Sequence, residues 1–336
     1  MNKEYTLGIV GVRGYVGREL LNLLANQKNI RVEWVSSRQL DGSPLSRLLD
    51  NDENFETDEL SSMHYYRQIK IESLSANLVA ERQTDIIVLA LPNGLAAPFV
   101  DAIAKTGNSQ LIIDLSADYR FNDDWIYMVP ELLNIEKPSI NEGGELLKIS
   151  NPGCYATAMQ IALAPLVENI QGRANCFGIS GYSGAGTTPS ANNDPENLKN
   201  NILPYALLEH LHEREVSYQL NMPISFSPHV AEFFRGISMT VQLELTESWT
   251  IDKILQHFKA FYADDAGIKV SESIPNIQQT INSNDCFVGG FKLSEDGRRL
   301  SFVSCLDNLL KGAASQALQN INLVLNSWKS NRRKTI

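Results

Sequence analysis

The sequence predicts an α/β protein, with a doubly wound parallel sheet in its first half and an α+β region with a mixed or antiparallel sheet after it. Three observations point there. The first half alternates short, continuously apolar runs with segments of helical spacing, as buried parallel strands joined by crossover helices do. A glycine-rich turn closes the first of these runs. Beyond residue 154 the strand pattern changes to alternating apolar and polar residues, which bury one face only.

Taken in order, Tyr5–Val12 reads as a short apolar strand and Tyr15–Asn26 as a helix, with Val16, Leu20, Leu23 and Leu24 on one face. Arg31–Ser36 is a second strand, and residues 41–62, polar and acidic, read mostly as loop. Thr84–Leu91 is a buried strand stopped by Pro92-Asn93-Gly94, a helix follows from Leu95 to about Lys105, and Leu111–Ser116 is a further buried strand. A helix then runs from Cys154 to Val167, and Ala174–Ser180 is a strand. Residues 181–204 form a loop rich in Gly, Ser, Thr, Asn and Pro, of a length usually kept for function. Ile237–Leu245, Phe287–Phe291 and Leu300–Leu306 are strands of the second sheet, and Leu309–Leu325 is a last amphipathic helix.

With 336 residues the chain is long enough for two domains and an ample core. Its hydrophobic content of 43% and charged content of 20% are those of a soluble globular protein. The net charge of −10 argues against nucleic acid or an anionic membrane as partner. Arg332-Arg333-Lys334 is read as a solvated tail. No apolar run is long enough to span a bilayer and no secretory signal is evident. Cys154, Cys176, Cys286 and Cys305 form no CxxC pair, so they are expected to be reduced thiols in a cytoplasmic protein.

The residues from Gly8 to Gly17 read GIVGVRGYVG. Strand, glycine turn and helix follow in the order a pyrophosphate site needs, since glycine lets the backbone approach phosphates and the helix N-terminus faces them. Gly11, Gly14, Tyr15, Val16 and Gly17 are therefore candidate dinucleotide contacts, although the GxxGxxG spacing is not the usual GxGxxG. The second strand ends in Ser36-Ser37-Arg38 rather than in an acidic residue. An arginine beside two hydroxyls suits the 2′-phosphate of NADP, whereas NAD would call for Asp or Glu.

Cys154 carries the expected chemistry. It follows Asn151-Pro152-Gly153 and opens an apolar helical segment. A thiol at a helix N-terminus should have a depressed pKa and act as a nucleophile. His229, in Pro228-His229-Val230, is the candidate proton carrier, and Arg235 downstream is a candidate for a substrate carboxylate. The segment 114–120, DLSADYR, leaves a buried strand at its C-terminal end, where open α/β sheets bind ligands. Ser116 and Arg120 are candidates for an anionic group there, with Asp118 expected to orient Arg120. Ser183 and Gly184, in a second glycine-rich turn, could close over a nicotinamide or a phosphate. His210 and His212 would share a face if on a strand, but no third ligand is evident and a metal is not expected. His64 and His257 are read as surface residues.

Taken together, the N-terminal turn, DLSADYR, Pro130-Glu131, SNPGCYATA (150–158), SGYSGAGTT (180–188), the PH…RG segment (228–236) and LDNLLKGAASQA (306–317) resemble the N-acetyl-gamma-glutamyl-phosphate reductases, and more distantly the aspartate-semialdehyde dehydrogenases. The resemblance implies a Rossmann-type NADP-binding domain formed by 1–153 and 308–336, and a catalytic and oligomerisation domain with a mixed sheet formed by 154–307. It implies Cys154 as nucleophile, His229 as acid/base, and Asn308 with Lys311-Gly312 near the nicotinamide. It also implies reduction of an acyl phosphate by NADPH through a cysteine thioester, in arginine biosynthesis, by a homodimer or homotetramer. One departure stands out. Tyr127-Met128-Val129 occupies the place of an expected Tyr-Gly-Leu, and methionine cannot serve where a glycine needs positive φ. Among rival readings, a carrier-bound aminoadipyl or glutamyl phosphate would favour a basic rim, which the net charge of −10 does not suggest. A non-catalytic NADP-binding regulator would have no use for Cys154, His229 and Arg120 together. A cysteine hydrolase would need neither the glycine turn nor Arg38.

Overall fold

The structure, a computed structural model, describes residues 4–49, 61–133 and 146–334. These fall into two compact units. The first comprises Met1–Pro130, Glu136–Pro152 and Ala314–Ile336; the second comprises Glu131–Ile135 and Gly153–Ala313. The sequence expectation places 308–336 wholly with the first region, whereas 308–313 group with the second.

In the first unit β1 (Tyr5–Val10), α1 (Tyr15–Ala25) and β2 (Ile30–Ser36) form the opening crossover. Then follow α2 (Ser46–Leu49), α3 (Ser61–Gln68), β3 (Ile71–Glu72), α4 (Ala76–Glu81), β4 (Ile86–Leu89), α5 (Ala97–Thr106), β5 (Leu111–Asp114), β6 (Ile126–Tyr127) and β7 (Leu147–Ser150). The sheet order is β3-β2-β1-β4-β5-β7-β6, and every recorded pairing is parallel. The order reverses direction at β1, which is the switch point of a doubly wound sheet. β4 and β5 are buried at every residue, which explains why they read as unbroken apolar runs. Residues 41–62 are not simply loop, because α2 lies inside them and α3 begins at Ser61; residues 50–60 lie outside the described part.

The second unit begins with α6 (Cys154–Leu163) and β8 (Ile170–Gly181), then α7 (Pro195–Leu198), β9 (Ile202–Pro204), α8 (Leu211–Gln219), β10 (Ile224–Ala231), β11 (Ile237–Leu245), α9 (Ile251–Phe261), β12 (Ile268–Ser271), β13 (Cys286–Leu293) and β14 (Arg299–Leu306). Its sheet, ordered β12-β13-β14-β11-β8-β10-β9, is mixed: β8 pairs parallel with β10 and β12 with β13, and the other pairings are antiparallel. α6 is buried from Tyr155 through Leu163 and packs against β11, β13 and β14. Its α-helical stretch stops short of the expected Val167, because Pro165 interrupts the helical ladder and the chain tightens into a 3₁₀ turn over Ala164–Asn169.

The segment 181–204, expected as loop, holds 3₁₀ turns, α7 and β9. β10 has no counterpart in the sequence reading, since Pro228 argues against a strand. Phe226 shows how the strand accepts it. Its N–H leaves the ladder and donates to Glu213 of α8 at 2.8 Å, so residues of that parity direct their amides away from β8. Pro228 has the same parity and removes no β8 bond.

A π-helical turn over Leu310–Ala314 precedes α10 (Ser315–Lys334), so the last helix begins differently and runs further than expected. α10 packs on α1 in the first unit, where Trp328 lies 5.8 Å from the Tyr5 ring. Asn320 Nδ2 donates to Met128 O and to Asn151 Oδ1, each at 3.0 Å. Met128 is buried, and it is absent from the positive-φ residues among those described, so the chain makes this turn without the backbone conformation that only glycine tolerates. α10 covers Arg332–Lys334, whose side chains lie outside the described part.

Candidate active site

The first unit supplies an anion cradle. Gly11 has φ +92°, and a Cβ there would sit 2.1 Å from Ala90 O, so only glycine fits. Gly17 is close-packed too: a Cβ would lie 2.9 Å from both Gly11 O and Val12 Cα. Gly14 caps α1 without a side chain, leaving the N-terminus of that helix clear of side-chain bulk, and Tyr15 and Val16, both half-buried, begin the helix. A backbone shaped this way fits a dinucleotide pyrophosphate.

The end of β2 selects among dinucleotides. Ser36 and Ser37 are buried, with Ser36 Oγ accepting from Leu74 N at 3.2 Å, while Arg38 is exposed. The acidic residues nearest in sequence are engaged elsewhere. Glu33 pairs with Arg31, and Asp41 accepts from Ser73 N. The donor set suits a 2′-phosphate better than a bare ribose.

The loops after β4 and β5 form a second polar cluster in this unit. Asp114, buried at the end of β5, accepts from the Ser116 hydroxyl at 2.7 Å, and Ser116 Oγ accepts from Asp118 N at 3.1 Å. Burial pushes the Asp114 carboxyl up to about 6, with Asp118 adding to the shift and the Ser116 hydrogen bonds and Arg120 opposing it. Asp118 does not fill the expected role of orienting Arg120 in these contacts. Its two oxygens accept from Gly94 N (2.6 Å) and Ala96 N (3.0 Å), fixing the turn before α5. Arg120 is buried and donates to the carbonyls of Asn151 (3.0 Å) and Leu115 (3.2 Å). Asn93, which the sequence offered only as part of a turn, accepts from Ala117 N and ties the two loops together.

In the second unit Cys154 is the first residue of α6 and is half-buried, whereas Cys176, Cys286 and Cys305 are buried. The first intrahelical bond joins Thr157 N to Gly153 O, so the amides of residues 154–156 precede the ladder, where the helix end favours an anion. Gly153 N donates to Glu215 Oε1 at 2.9 Å, and Glu215 is fully buried on α8. No local pattern marks this glutamate, because it sits in a polar helical stretch.

His229 lies on β10, half-buried, with its ring centroid 4.4 Å from that of Phe177 and Nδ1 3.2 Å from Ser227 O. Its carbonyl accepts from the Tyr155 hydroxyl at 2.6 Å, which joins the residue after the thiol to the backbone of the histidine. Tyr155 and Tyr205 are hydrogen-bonded, and burial raises both hydroxyl pKa values; Tyr205 and Cys154 add to the shift of Tyr155, while Cys154 adds to that of Tyr205 and its bond with Tyr155 opposes it. His210 is not on a strand. It caps α8, its Nδ1 accepting from His212 N, and burial lowers its pKa. Among the described residues no group of three or more His, Cys, Asp or Glu is arranged to hold a metal ion. His257 is half-buried, against Trp249 and Pro165 O, rather than a free surface residue; the side chain of His64 lies outside the described part.

Arg235, Ser183 and Asn308 have partners that the sequence did not indicate. Arg235 donates to Asp307 Oδ1 at 3.2 Å, and its Nε lies 2.7 Å from Oδ2 as a close ion contact rather than an aligned hydrogen bond. Asn308 accepts from Gly236 N at 2.7 Å and donates to Ser183 Oγ at 2.9 Å. Gly184 beside it is exposed. Lys311 and Glu131, both buried, form an ion pair at 2.6 Å. A Cβ on Gly312 would lie 2.7 Å from Cys154 Cβ, so the π-turn backbone rests directly against Cys154.

Residues 6–137 match the semialdehyde dehydrogenase NAD binding domain, and residues 154–308 match the semialdehyde dehydrogenase dimerisation domain. The N-acetyl-gamma-glutamyl-phosphate reductase of Xanthomonas axonopodis pv. citri (strain 306) is 46% identical over 320 residues, 95% of each chain. That of Stenotrophomonas maltophilia (strain R551-3) is 46% identical over 324 residues, 96% of each chain. The chain belongs to the N-acetyl-gamma-glutamyl-phosphate reductase family. Its fold is also that of aspartate semialdehyde dehydrogenase II from Vibrio cholerae, at a TM-score of 0.72 and 16% identity over 96% of this chain and 99% of that one. Among its four cysteines only Cys154 is half-buried, and it opens a buried helix. No helix among the described residues is long and apolar enough to cross a membrane.

Proposed function

We propose that this chain catalyses the NADPH-dependent reductive dephosphorylation of N-acetyl-L-glutamyl 5-phosphate to N-acetyl-L-glutamate 5-semialdehyde, the reductase step of L-arginine biosynthesis. The observation that carries the proposal is the placement of Cys154 at the N-terminus of buried α6, within a chain 46% identical to a reductase of that name over 95% of its length. In the assigned sequence of steps, Cys154 Sγ attacks the acyl carbon, the bond to the phosphate oxygen breaks, and inorganic phosphate leaves a thioester on the cysteine. The Cys154 amide, which lies ahead of the helical ladder, is proposed to stabilise the oxyanion of each tetrahedral species.

NADPH, when bound, supplies the hydride that reduces the thioester. The Gly11–Gly17 turn and Arg38 would hold it, through backbone N–H groups and the 2′-phosphate respectively. His229 takes the thiol proton of Cys154 and gives it to the departing phosphate oxygen; the hemithioacetal oxyanion left after reduction then collapses, freeing the aldehyde and the thiolate. Ser116 and Arg120 are proposed to face the leaving phosphate. Their hydrogen bonds within the first unit mean that they would act from fixed positions. The protein is proposed to be a cytoplasmic homodimer or homotetramer.

The deciding assay is NADP⁺ reduction with N-acetyl-glutamate 5-semialdehyde, with and without inorganic phosphate. A rate that requires phosphate is expected. A phosphate-independent rate would mean that water takes the thioester, and the chain would then be an aldehyde dehydrogenase.

A further inference from the structure

Arg235 and Asp307 form a buried ion pair that the assigned chemistry does not use, with 4% and 0% of their side-chain surfaces exposed. Asp307 is also the organiser of the π-turn. Its Oδ1 accepts from Leu309 N (2.9 Å) and Leu310 N (3.3 Å), and its Oδ2 accepts from Asn282 N (2.9 Å). Its carbonyl accepts from Gly312 N at 2.9 Å, a bond spanning five residues that closes the π geometry. Gly312 is the residue in contact with Cys154.

We propose that Asp307, with Arg235 as its counter-ion, is a positioning residue for Cys154, acting through the π-turn and Gly312, and that Arg235 is not the anchor of a substrate carboxylate. Three features support this. First, a π-turn is an irregular backbone that persists only where side chains hold it. Here Asp307 holds its start, and the Lys311–Glu131 pair pins its middle. Second, Gly312 leaves no slack. Cys154 Cβ and Cα lie 2.7 and 3.2 Å from where a Gly312 Cβ would be, so a displacement of the turn displaces the nucleophile. Third, the guanidinium already faces a carboxylate, and Asn308 fixes the adjoining Gly236 amide, so the Arg235 segment is bound at two points to the residues that start the turn. A buried ion pair is weak evidence for stability in itself, and removing one partner strands the other charge, which gives this pair leverage over geometry.

The inference rests on Cys154 being the nucleophile of the proposed reaction, and its test separates the two. Full-length wild type, Arg235→Lys, Asp307→Asn and Gly312→Ala would be compared in two ways. One is the rate of iodoacetamide labelling of the Cys154 peptide, without substrate or cofactor. The other is kcat and KM for N-acetyl-glutamate 5-semialdehyde with NADP⁺ and phosphate. Labelling and kcat are expected to fall about tenfold or more in all three variants, with KM within about threefold of wild type. A KM rise above about tenfold in Arg235→Lys, with kcat and labelling unchanged, would assign Arg235 to the substrate and overturn the proposal. If the ion-pair variants lose their near-ultraviolet circular dichroism, Gly312→Ala decides alone, and wild-type labelling and kcat there would also overturn it. A wild type inactive on this aldehyde, whose labelling still falls in the variants, would sink the proposed function and leave the positioning role standing.

Discussion

The glycine turn of the first unit and the thiol site of the second both place chemistry at a helix N-terminus, yet they are assembled in opposite ways. Gly11, Gly14 and Gly17 lie in one short stretch of chain, and the cradle is made of backbone. Around Cys154 the parts come from distant segments: Glu215 on α8 holds Gly153, Tyr155 reaches the carbonyl of His229 on β10, and Asp307 accepts from the amide of Gly312, which lies against Cys154. The first arrangement depends on the absence of side chains and the second on buried charged ones. Substitutions should therefore damage the turn by adding atoms and the thiol site by removing contacts.

The largest expected effect is at the thiol. Cys154→Ser should lower turnover by more than about a thousandfold, because a hydroxyl ionises far less readily than a thiol, while NADP⁺ binding by fluorescence stays near wild type. Near-normal turnover would remove the reason for treating the two regions as separate in function. Next comes Gly11→Ala. Its Cβ would overlap Ala90 O, and φ +92° is unfavourable for alanine, so we expect a loss of about 2–4 kcal/mol in urea denaturation together with weaker NADP⁺ binding. Unchanged stability would show that the turn tolerates added atoms and would break the contrast.

Asp114→Asn tests burial in the first unit. Burial raises the folded-state carboxyl pKa from 3.8 to about 6, so the folded protein holds more protons than the unfolded chain between those values. The contribution of Asp114 to stability is therefore present in full below about pH 4 and is lost as pH rises through about 6. The loss is on the order of 3 kcal/mol at its upper bound. Comparing urea midpoints of wild type and variant from pH 4 to 8 should show the variant without this decline; parallel curves would count against it. The smallest effect is at the surface. Arg38→Ala should weaken NADP⁺ about ten- to thirtyfold and leave NAD⁺ nearly unchanged, as calorimetry would show. Equal losses for both cofactors would mean that Arg38 does not read the 2′-phosphate.

Legibility in the sequence follows the same division. β4 and β5 were readable because strands buried on both faces are continuously apolar, and β11 because a strand buried on one face alternates. β10 was hidden by Pro228, whose missing amide matters only once it is known which side of the strand carries the β8 ladder. Asp118 was misread because its partners, the Gly94 and Ala96 amides, are brought to it by the next strand of the sheet. The buried partner of Arg235 was not legible, because its carboxylate, Asp307, lies 72 residues away.

The sequence by itself determined the two kinds of sheet, the dinucleotide turn and the thiol that opens a helix. Each of these is written in residues a few positions apart, where backbone sterics and hydrophobic period act. The tertiary structure alone decided which buried charges meet. It joined Arg235 to Asp307 and Lys311 to Glu131, gave Glu215 the amide before Cys154, and laid Gly312 against the sulfur-bearing residue. The physical reason is that a buried charge is tolerated only beside its partner, and partners far apart in the chain are chosen by packing, which no local pattern records.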